Sequence, residues 1–525
     1  AIRRAVRPPG GSLAFAFSAR NRIIGDGVRH NDPPRTIEVV AQPQADLTGD
    51  GRTHERWVVA IVGLASFMTV TSGTMVNVAL PPIGAHFGVD AGALGWLVSI
   101  YLLTFGVAMP FHGRLGDRFG ERRIYLAGMV LFVIGAALAG LAVAFPMLVV
   151  ARCIQGLGAG AITSLGMAMV ARTVPPERRG RTMGIVATAV SAGAAIGPTL
   201  GGIITQLIAW RMVFLFAALL TVVIPLAARY LPPSYLHQQV RIDWLGGIAV
   251  GAAVSGALLA VTNLQRQGGL SGAVIAAAIV GLIGTVLTIH RQQTVAFPFI
   301  DRALLANRRY LLLTVVGFLT MSGGMGVIVV APFLYTNVNG LPSGQVGLAL
   351  LPQALVVVSL AGTAGRLADR WNPFVLIVPG LLISCVTVLF LSAVAIGWPA
   401  PAFSAVTMFL GLGQALVNAP LMTVLTRTIP ARIYGVGLGI FNMLFFVGTS
   451  LGAAVATALL ESRAGARRAL LPFYVGAEEF SEYSDALLVG TVAFALAAVA
   501  AFAASRARVP RVELSVGSPE PRTAD

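Results

Sequence analysis

The chain contains no lysine, so all 37 of its basic residues are arginine. Charge of either sign is scarce, at 11% of 525 residues, where a soluble domain carries roughly a quarter. Cysteine is nearly absent as well. Cys153 and Cys385 both lie within apolar runs, which argues against a disulfide framework or a cysteine-built metal site. The 21 carboxylates fall in tails, loops or helix ends, so no acid marks an intramembrane proton site. No nucleophile–base cluster, metal-ligand set or phosphate loop is evident, which leaves enzyme chemistry without a carrier. The one N-terminal apolar run, Ser12–Phe17, is too short for a cleavable signal.

What is present is apolar. Hydrophobic residues make up 56% of the chain and its mean hydropathy is +0.81. Stretches of about 20 residues, enough to cross a hydrocarbon core about 30 Å thick, recur almost end to end. The spans fall at 57–80, 93–112, 124–144, 147–171, 182–207, 212–228, 244–263 and 270–290, then at 310–335, 344–365, 374–397, 400–425, 435–460 and 485–505. Fourteen spans put both termini on one side of the membrane. With that side inside, 31 arginines lie in inner segments and five in outer loops: Arg211, Arg266, Arg463, Arg467 and Arg468. This positive-inside bias predicts cytoplasmic termini in a multi-pass plasma (inner) membrane protein. It also turns the net charge of +16 away from a nucleic-acid partner, because the arginines alternate between loops instead of sharing one surface. Residues 1–56 read as a disordered cytoplasmic tail, and 506–525 as a second tail.

The chain is organised around a charged knot, Gly113-Arg114-Leu115-Gly116-Asp117-Arg118-Phe119-Gly120-Glu121-Arg122-Arg123, and its echo, Gly365-Arg366-Leu367-Ala368-Asp369-Arg370-Trp371. Two further segments repeat at a similar offset of about 250 residues. Ala171-Arg-Thr-Val-Pro-Pro-Glu-Arg-Arg-Gly180 pairs with Thr426-Arg-Thr-Ile-Pro-Ala-Arg-Ile-Tyr-Gly435, and Gly156-Leu157-Gly158 pairs with Gly411-Leu412-Gly413. Such internal repeats are a mark of transporters. They predict an all-α polytopic membrane protein with two six-helix bundles, 57–228 and 310–505, and an inserted two-helix hairpin at 244–290.

Within the knots, Gly113, Asp117, Arg118, Gly120, Arg122, Arg123, Gly365, Asp369 and Arg370 are the candidate hinge residues. In the fifth span, Gly193, Gly197 and Gly201 form one smooth helix face beside Pro198 and Gly202. This face suits either ordinary close packing or a flexible seam controlling leakage between the halves. Arg152 lies inside the fourth span with Gln155 nearly one turn on. An intramembrane cation must face a cavity or a partner, unless it snorkels or bonds a neighbouring helix. Asn77, Tyr101, Thr104, Gln353, Asn418, Asn442 and Thr449 are polar groups in apolar helices, suited to lining a cavity or to joining helices. His112, just before the first knot, is either a titrating group or a solvated interfacial histidine.

Together these residues resemble a major facilitator superfamily transporter, specifically the fourteen-helix drug:proton antiporter branch that includes tetracycline and multidrug exporters. The resemblance covers about residues 57–505. Its loop motif between helices two and three matches at Gly113, Leu115, Asp117, Arg118, Gly120, Arg122 and Arg123. Its fourth-helix motif, whose arginine is implicated in proton coupling, matches at Arg152, Gln155, Gly156 and Gly158. Its antiporter motif matches at Gly193, Gly197, Pro198, Gly201 and Gly202. Asn77-Val78-Ala79-Leu80-Pro81 fits the first helix, and Asp243 with Pro298-Phe299-Ile300-Asp301 resembles the tetracycline-exporter arrangement around the extra hairpin. The sequence departs from that pattern at Ser72, where many relatives carry an acid, and near Thr449, where tetracycline exporters of this type carry a glutamate.

The resemblance implies a secondary active exporter of lipophilic small molecules, working by alternating access, with a proton gradient as its energy source and no cofactor. Its partners would be the substrate, protons and the lipid bilayer. The rivals are a weakly coupled facilitator or lipid-like exporter and, in another class, a membrane sensor or membrane enzyme.

Overall fold

A computed structural model of the chain describes residues 49–89, 91–233, 242–267, 269–341, 343–430, 433–466 and 468–507. The chain divides into two compact units, Ala1–Thr53 and His54–Asp525. In the first, residues 49–53 alone are described, and they are helical.

The described residues contain 14 helices long and apolar enough to cross a membrane. We number them α1 Gly49–Phe87, α2 Ala91–Phe119, α3 Glu121–Gly140, α4 Phe145–Thr173, α5 Arg179–Leu207, α6 Arg211–Tyr230, α7 Trp244–Gln267 and α8 Gly272–Thr294. The remainder are α9 Arg308–Asn337, α10 Ser343–Arg370, α11 Phe374–Ala393, α12 Ala400–Thr428, α13 Tyr434–Ser462 and α14 Ser481–Arg506. A short helix, Arg302–Ala306, precedes α9. The α6 span contains a 3-10 turn at Leu219–Val222.

Several helices run further than hydropathy implies, whereas α3 and α11 end at Gly140 and Ala393, short of the expected 144 and 397. The tail expected over 1–56 is helical from Gly49 onward, which corrects its inner boundary; residues 1–48 and 508–525 lie outside the described residues. The α1 helix also continues through Pro81 and Pro82 to Phe87, seven residues past the expected end. Hydropathy reports where lipid ends. Backbone hydrogen bonding continues beyond it, and packed neighbours tolerate a proline in a membrane helix.

Two six-helix bundles and an inserted hairpin make up the fold. In the first bundle α4 packs on both α2 and α3, and in the second α9 packs on α13 and α14 while α12 packs on α10 and α11. Small residues permit this closeness. A Cβ on Gly158 would meet the Gly128 carbonyl of α3 at 2.6 Å, and one on Gly156 would meet the Tyr101 carbonyl of α2 at 2.6 Å. In lipid there is little hydrophobic drive between helices, so backbone proximity and its dispersion contacts supply the association. The hairpin α7–α8 is joined in the same way: a Cβ on Gly256 would collide with the backbone of Gly281. Its outer face is apolar and open, with Leu282 and Val286 more than half exposed, as lipid contact requires.

Between the bundles, α2 packs on α13 and α5 packs on α10. Among the described residues, every close glycine approach between the bundles lies at the end carrying the charged knots: Gly113 with Gly435, Gly180 with Gly365, Gly184 with Ala361, and Gly439 with Met109. The structure is therefore drawn together at its arginine-rich end.

A candidate site of two interhelical locks and a buried arginine

The first knot forms the end of α2 and the turn into α3. Gly120 makes that turn at φ 94°, a left-handed conformation that a side chain would strain. One turn earlier, the Asp117 carboxylate is buried at 4% exposure. It faces the first turn of α13, where a Cβ on Gly435 would meet it at 2.9 Å. Arg172, at the end of α4, lies 3.6 Å from Asp117 and 3.3 Å from the neighbouring carboxylate of Glu121.

The second knot repeats this placement but adds hydrogen bonds, whereas both buried carboxylate oxygens of Asp117 have no hydrogen-bond partner among the described residues. Asp369 at the end of α10 accepts hydrogen bonds from the backbone N–H of Gly180 (2.6 Å) and of Arg181 (2.7 Å), in the first turn of α5. Arg427, at the end of α12, lies 3.9 Å from it. Each bundle thus offers an acid to the N-terminus of a helix in the other, where unsatisfied N–H groups and the helix dipole favour negative charge. Gly113 and Gly365 allow the approach, since a Cβ on either would collide with the carbonyl of Gly435 or of Gly180.

The remaining knot residues diverge from this centre. Arg118, Arg123 and Arg370 are exposed, and Arg122 donates to the Ala228 carbonyl. Arg114 makes no direct ion pair with Asp117 among the described residues and bonds the carbonyls of Phe299 and Pro298 instead. Among the described residues the cation paired with Asp117 is Arg172, a partner that the sequence reading did not identify. Its signal was available: Arg172 and Arg427 occupy equivalent places in the segments repeated after the fourth and twelfth spans.

The glycine stripe of α5 lies inside a bundle. Cβ atoms on Gly193, Gly197 and Gly201 would strike Phe67, Thr71, Thr74 and Met75 of α1, and Gly202 stands near Val78. Pro198 occupies the exposed face. The packing alternative accounts for these contacts. The glycine contacts of α5 across the seam come instead from Gly180 and Gly184, at the other end of the helix.

Arg152 is fully buried. Its Nε donates to the Leu97 carbonyl at 3.2 Å and its Nη1 to Gln155 Oε1 at 2.7 Å. The guanidinium lies 4.0 Å from the centre of the Tyr101 ring. Gln155 in turn donates to Ser72 Oγ at 3.1 Å, and the Tyr101 hydroxyl to the Thr69 carbonyl at 3.3 Å. The group links α1, α2 and α4, and every hydrogen-bond or ring partner of the cation is neutral. Its Nη2 is buried without a hydrogen-bond partner. Ser72, where the family resemblance leads one to expect an acid, thus stands at the end of this chain.

Among the described residues the second bundle has no matching cation. At the position equivalent to Arg152 stands Thr407, 2% exposed, its hydroxyl bonded to the Ser404 carbonyl. Gln353, equivalent to Tyr101, instead donates to Gln414 at 3.4 Å, a partner missed in the sequence. Of the other polar candidates, Asn77 is exposed, and Asn442 Nδ2 and Asn418 Oδ1 are buried without partners. Thr104 and Thr449 bond carbonyls of their own helices. His112 has a buried Nδ1 and lines, with Leu103, Val107, Leu157 and Ser255, a cavity of about 390 Å³ between α2, α4 and α7.

Similarity to known proteins agrees with this architecture. The chain is 30% identical to the multidrug resistance protein Stp of Mycobacterium tuberculosis over 403 residues, covering 76% of this chain and 74% of that one. It is 25% identical to the lincomycin resistance protein LmrB of Listeria monocytogenes over 420 residues, covering 80% and 89%. The human organic anion transporter MFSD10 (TETRAN) shares the fold with a TM-score of 0.60 at 17% identity, over 86% of this chain and 99% of that one. Residues 62–453 match the model of the Major Facilitator Superfamily, and the chain, a transporter and not an enzyme, belongs to that family.

Proposed function

We propose that the protein exports lipophilic small molecules, such as antibiotics or secondary metabolites, by alternating access with proton entry as the driving force. The observation that carries this reading is the pair of acid-to-helix-N-terminus locks gathered at one end of the molecule. Polar contacts that join two bundles at one end are suited to be broken when that end opens, so a cavity between the bundles faces each side in turn. The arginine bias supports a cytoplasmic location for the locked end and for both termini. The resistance proteins Stp and LmrB support a drug-like cargo.

One observation favours a second reading, a weakly coupled facilitator or lipid-like exporter. The partners of Arg152 are neutral, and its hydrogen-bond chain ends on the Ser72 hydroxyl, with no acid. A proteoliposome assay with an imposed pH gradient and a panel of lipophilic drugs separates the two. Proton antiport requires accumulation that collapses with a proton ionophore. Gradient-independent equilibration supports the facilitator, and absence of flux for every compound overturns both. Orientation has its own test: reporters fused after Asn372 should be cytoplasmic and those after Asn339 external. The reverse result at Asn339 rejects the assigned sidedness.

A further inference from the structure

We infer that Arg114 makes the inserted hairpin a passenger of α2, so that the seam opening during transport runs between the hairpin and α13. The inference rests on the alternating-access reading and extends it to the two extra helices.

The hairpin lies against both sides of the seam, because α7 packs on α2 and on α13. The two contacts differ in kind. Toward α2 they are polar and directional. Arg114, 8% exposed, donates from Nε to the Phe299 carbonyl at 2.8 Å and from Nη2 to the Pro298 carbonyl at 3.1 Å. These carbonyls belong to the loop returning from α8. That loop is tied to the hairpin in turn: Gln292 donates to the Ile300 carbonyl at 3.0 Å, and Arg302 bonds the carbonyls of Gln292 and Val295. At the hairpin's base, Arg291 at the end of α8 pairs with Asp243 before α7 at 2.7 Å. The Phe299 ring lies 5.0 Å from that of Phe111 on α2, and Gly247 of α7 admits both rings, since a Cβ there would meet them at 2.7 and 2.9 Å.

Toward α13 the contact is an apolar cluster of Met443 with Val250 and Phe299, flanked by Leu444. Apolar contact is non-directional, and its parting exposes groups that lipid can cover. Parting Arg114 from its carbonyls would leave a buried cation without its hydrogen bonds, which is far costlier. When α2 and α13 separate, the return loop therefore stays with α2.

The chain must absorb that motion before α9. Asn307 already belongs to the second bundle: its Oδ1 caps α9 at Tyr310 N (3.1 Å) and its Nδ2 donates to the Thr428 carbonyl of α12 (3.3 Å). The joint accordingly falls within the short helix Arg302–Ala306.

Three double-cysteine proteins test this, each in a background with Cys153 and Cys385 replaced by serine. Each is joined by a short bifunctional thiol reagent and scored against its own unjoined transport. F105C/F446C bridges α2 and α13 directly, where the two rings lie 4.6 Å apart; joining should stop transport. Full transport in that joined protein overturns alternating access itself and leaves the hairpin question separate. With that control arrested, the inference expects F111C/F299C, which joins α2 to the return loop, to transport at its unjoined rate. F299C/M443C, which joins the loop to α13, should stop. The opposite pattern means that the hairpin rides on α13, and equal behaviour of the two pairs removes the passenger role; each overturns the inference. Arg114→Gln should slow joining of the 111–299 pair several-fold, and Arg114→Lys should restore part of the rate. An unchanged rate in Arg114→Gln also overturns it.

Discussion

At the scale of single residues, the least ordinary group is Arg152, a buried cation whose partners are all neutral. Burying a charge without a counter-ion costs several kcal/mol, and replacing such a group by an apolar side chain of similar length is often neutral or stabilising. A group kept for structure would lose stability in that exchange, whereas one kept for function would not. We therefore predict that Arg152→Met retains or raises the thermal stability of the detergent-solubilised protein while transport is lost. Loss of stability together with transport would return Arg152 to a structural role. Asp243 offers a test of the opposite sign. Burial pushes its carboxyl up, but hydrogen bonds from Arg291 and the Gly246 N–H outweigh this and hold it below the usual carboxylate range. A depressed folded pKa contributes stability above the ordinary carboxylate range that is lost as pH falls through the folded value. Asp243→Asn should therefore melt lower than the parent at pH 7, with the gap closing in acid. A gap independent of pH would show that shape matters there and charge does not.

At the scale of elements, all fourteen helices were legible because lipid imposes a length and a polarity on every span. Their ends were less so: α1 gains polar residues from Gly49 and runs beyond two prolines to Phe87. Contacts between helices were legible only where the chain repeats itself. Asp117 and Asp369 were found that way, whereas Arg172 read as one more inner-loop arginine. Its pairing depends on α4 ending beside α2, which no local pattern states. The glycines of α5 show the same limit, since a smooth face announces a close neighbour without naming it. That neighbour is α1, and the fit is tight: a Cβ on Gly197 would collide with the Thr74 hydroxyl and lie 3.1 Å from the Thr71 carbonyl. Overpacking such a site costs about 1–3 kcal/mol. Gly197→Ala should lower thermal stability, and Thr74→Ala in the same chain should recover part of the loss, as followed by melting of the purified protein. Gly197→Leu should insert into the membrane yet fail to transport. Wild-type flux in the leucine variant would show that α1 and α5 part more freely than this geometry allows.

At the scale of the whole molecule, the two locks form a near-symmetric pair, with Asp117 facing α13 beside Arg172 and Asp369 facing α5 beside Arg427. Two acid-to-helix contacts at one end, hydrogen-bonded at Asp369 and ion-paired at Asp117, act in parallel on one equilibrium, between the state closed there and the state open there. A carboxylate at a helix N-terminus is worth up to about 2 kcal/mol when partly buried, and each 1.4 kcal/mol shifts a population about tenfold. The effects of well-separated locks should add. We predict that Asp117→Asn and Asp369→Asn each move the balance toward the open state by roughly tenfold on that scale, and that the double variant moves it further by a similar factor. Thiol accessibility of a cysteine placed at Ala361, beside Gly184 in the seam, would report the shift. Because transport must pass through both states, energised efflux and counterflow exchange should fall together in every variant. A carboxylate that carries protons behaves differently, since its amide loses pH-driven accumulation while exchange continues. Exchange retained in Asp117→Asn, with the Ala361 probe unchanged, would assign Asp117 to proton transfer and leave Asp369 as the only lock.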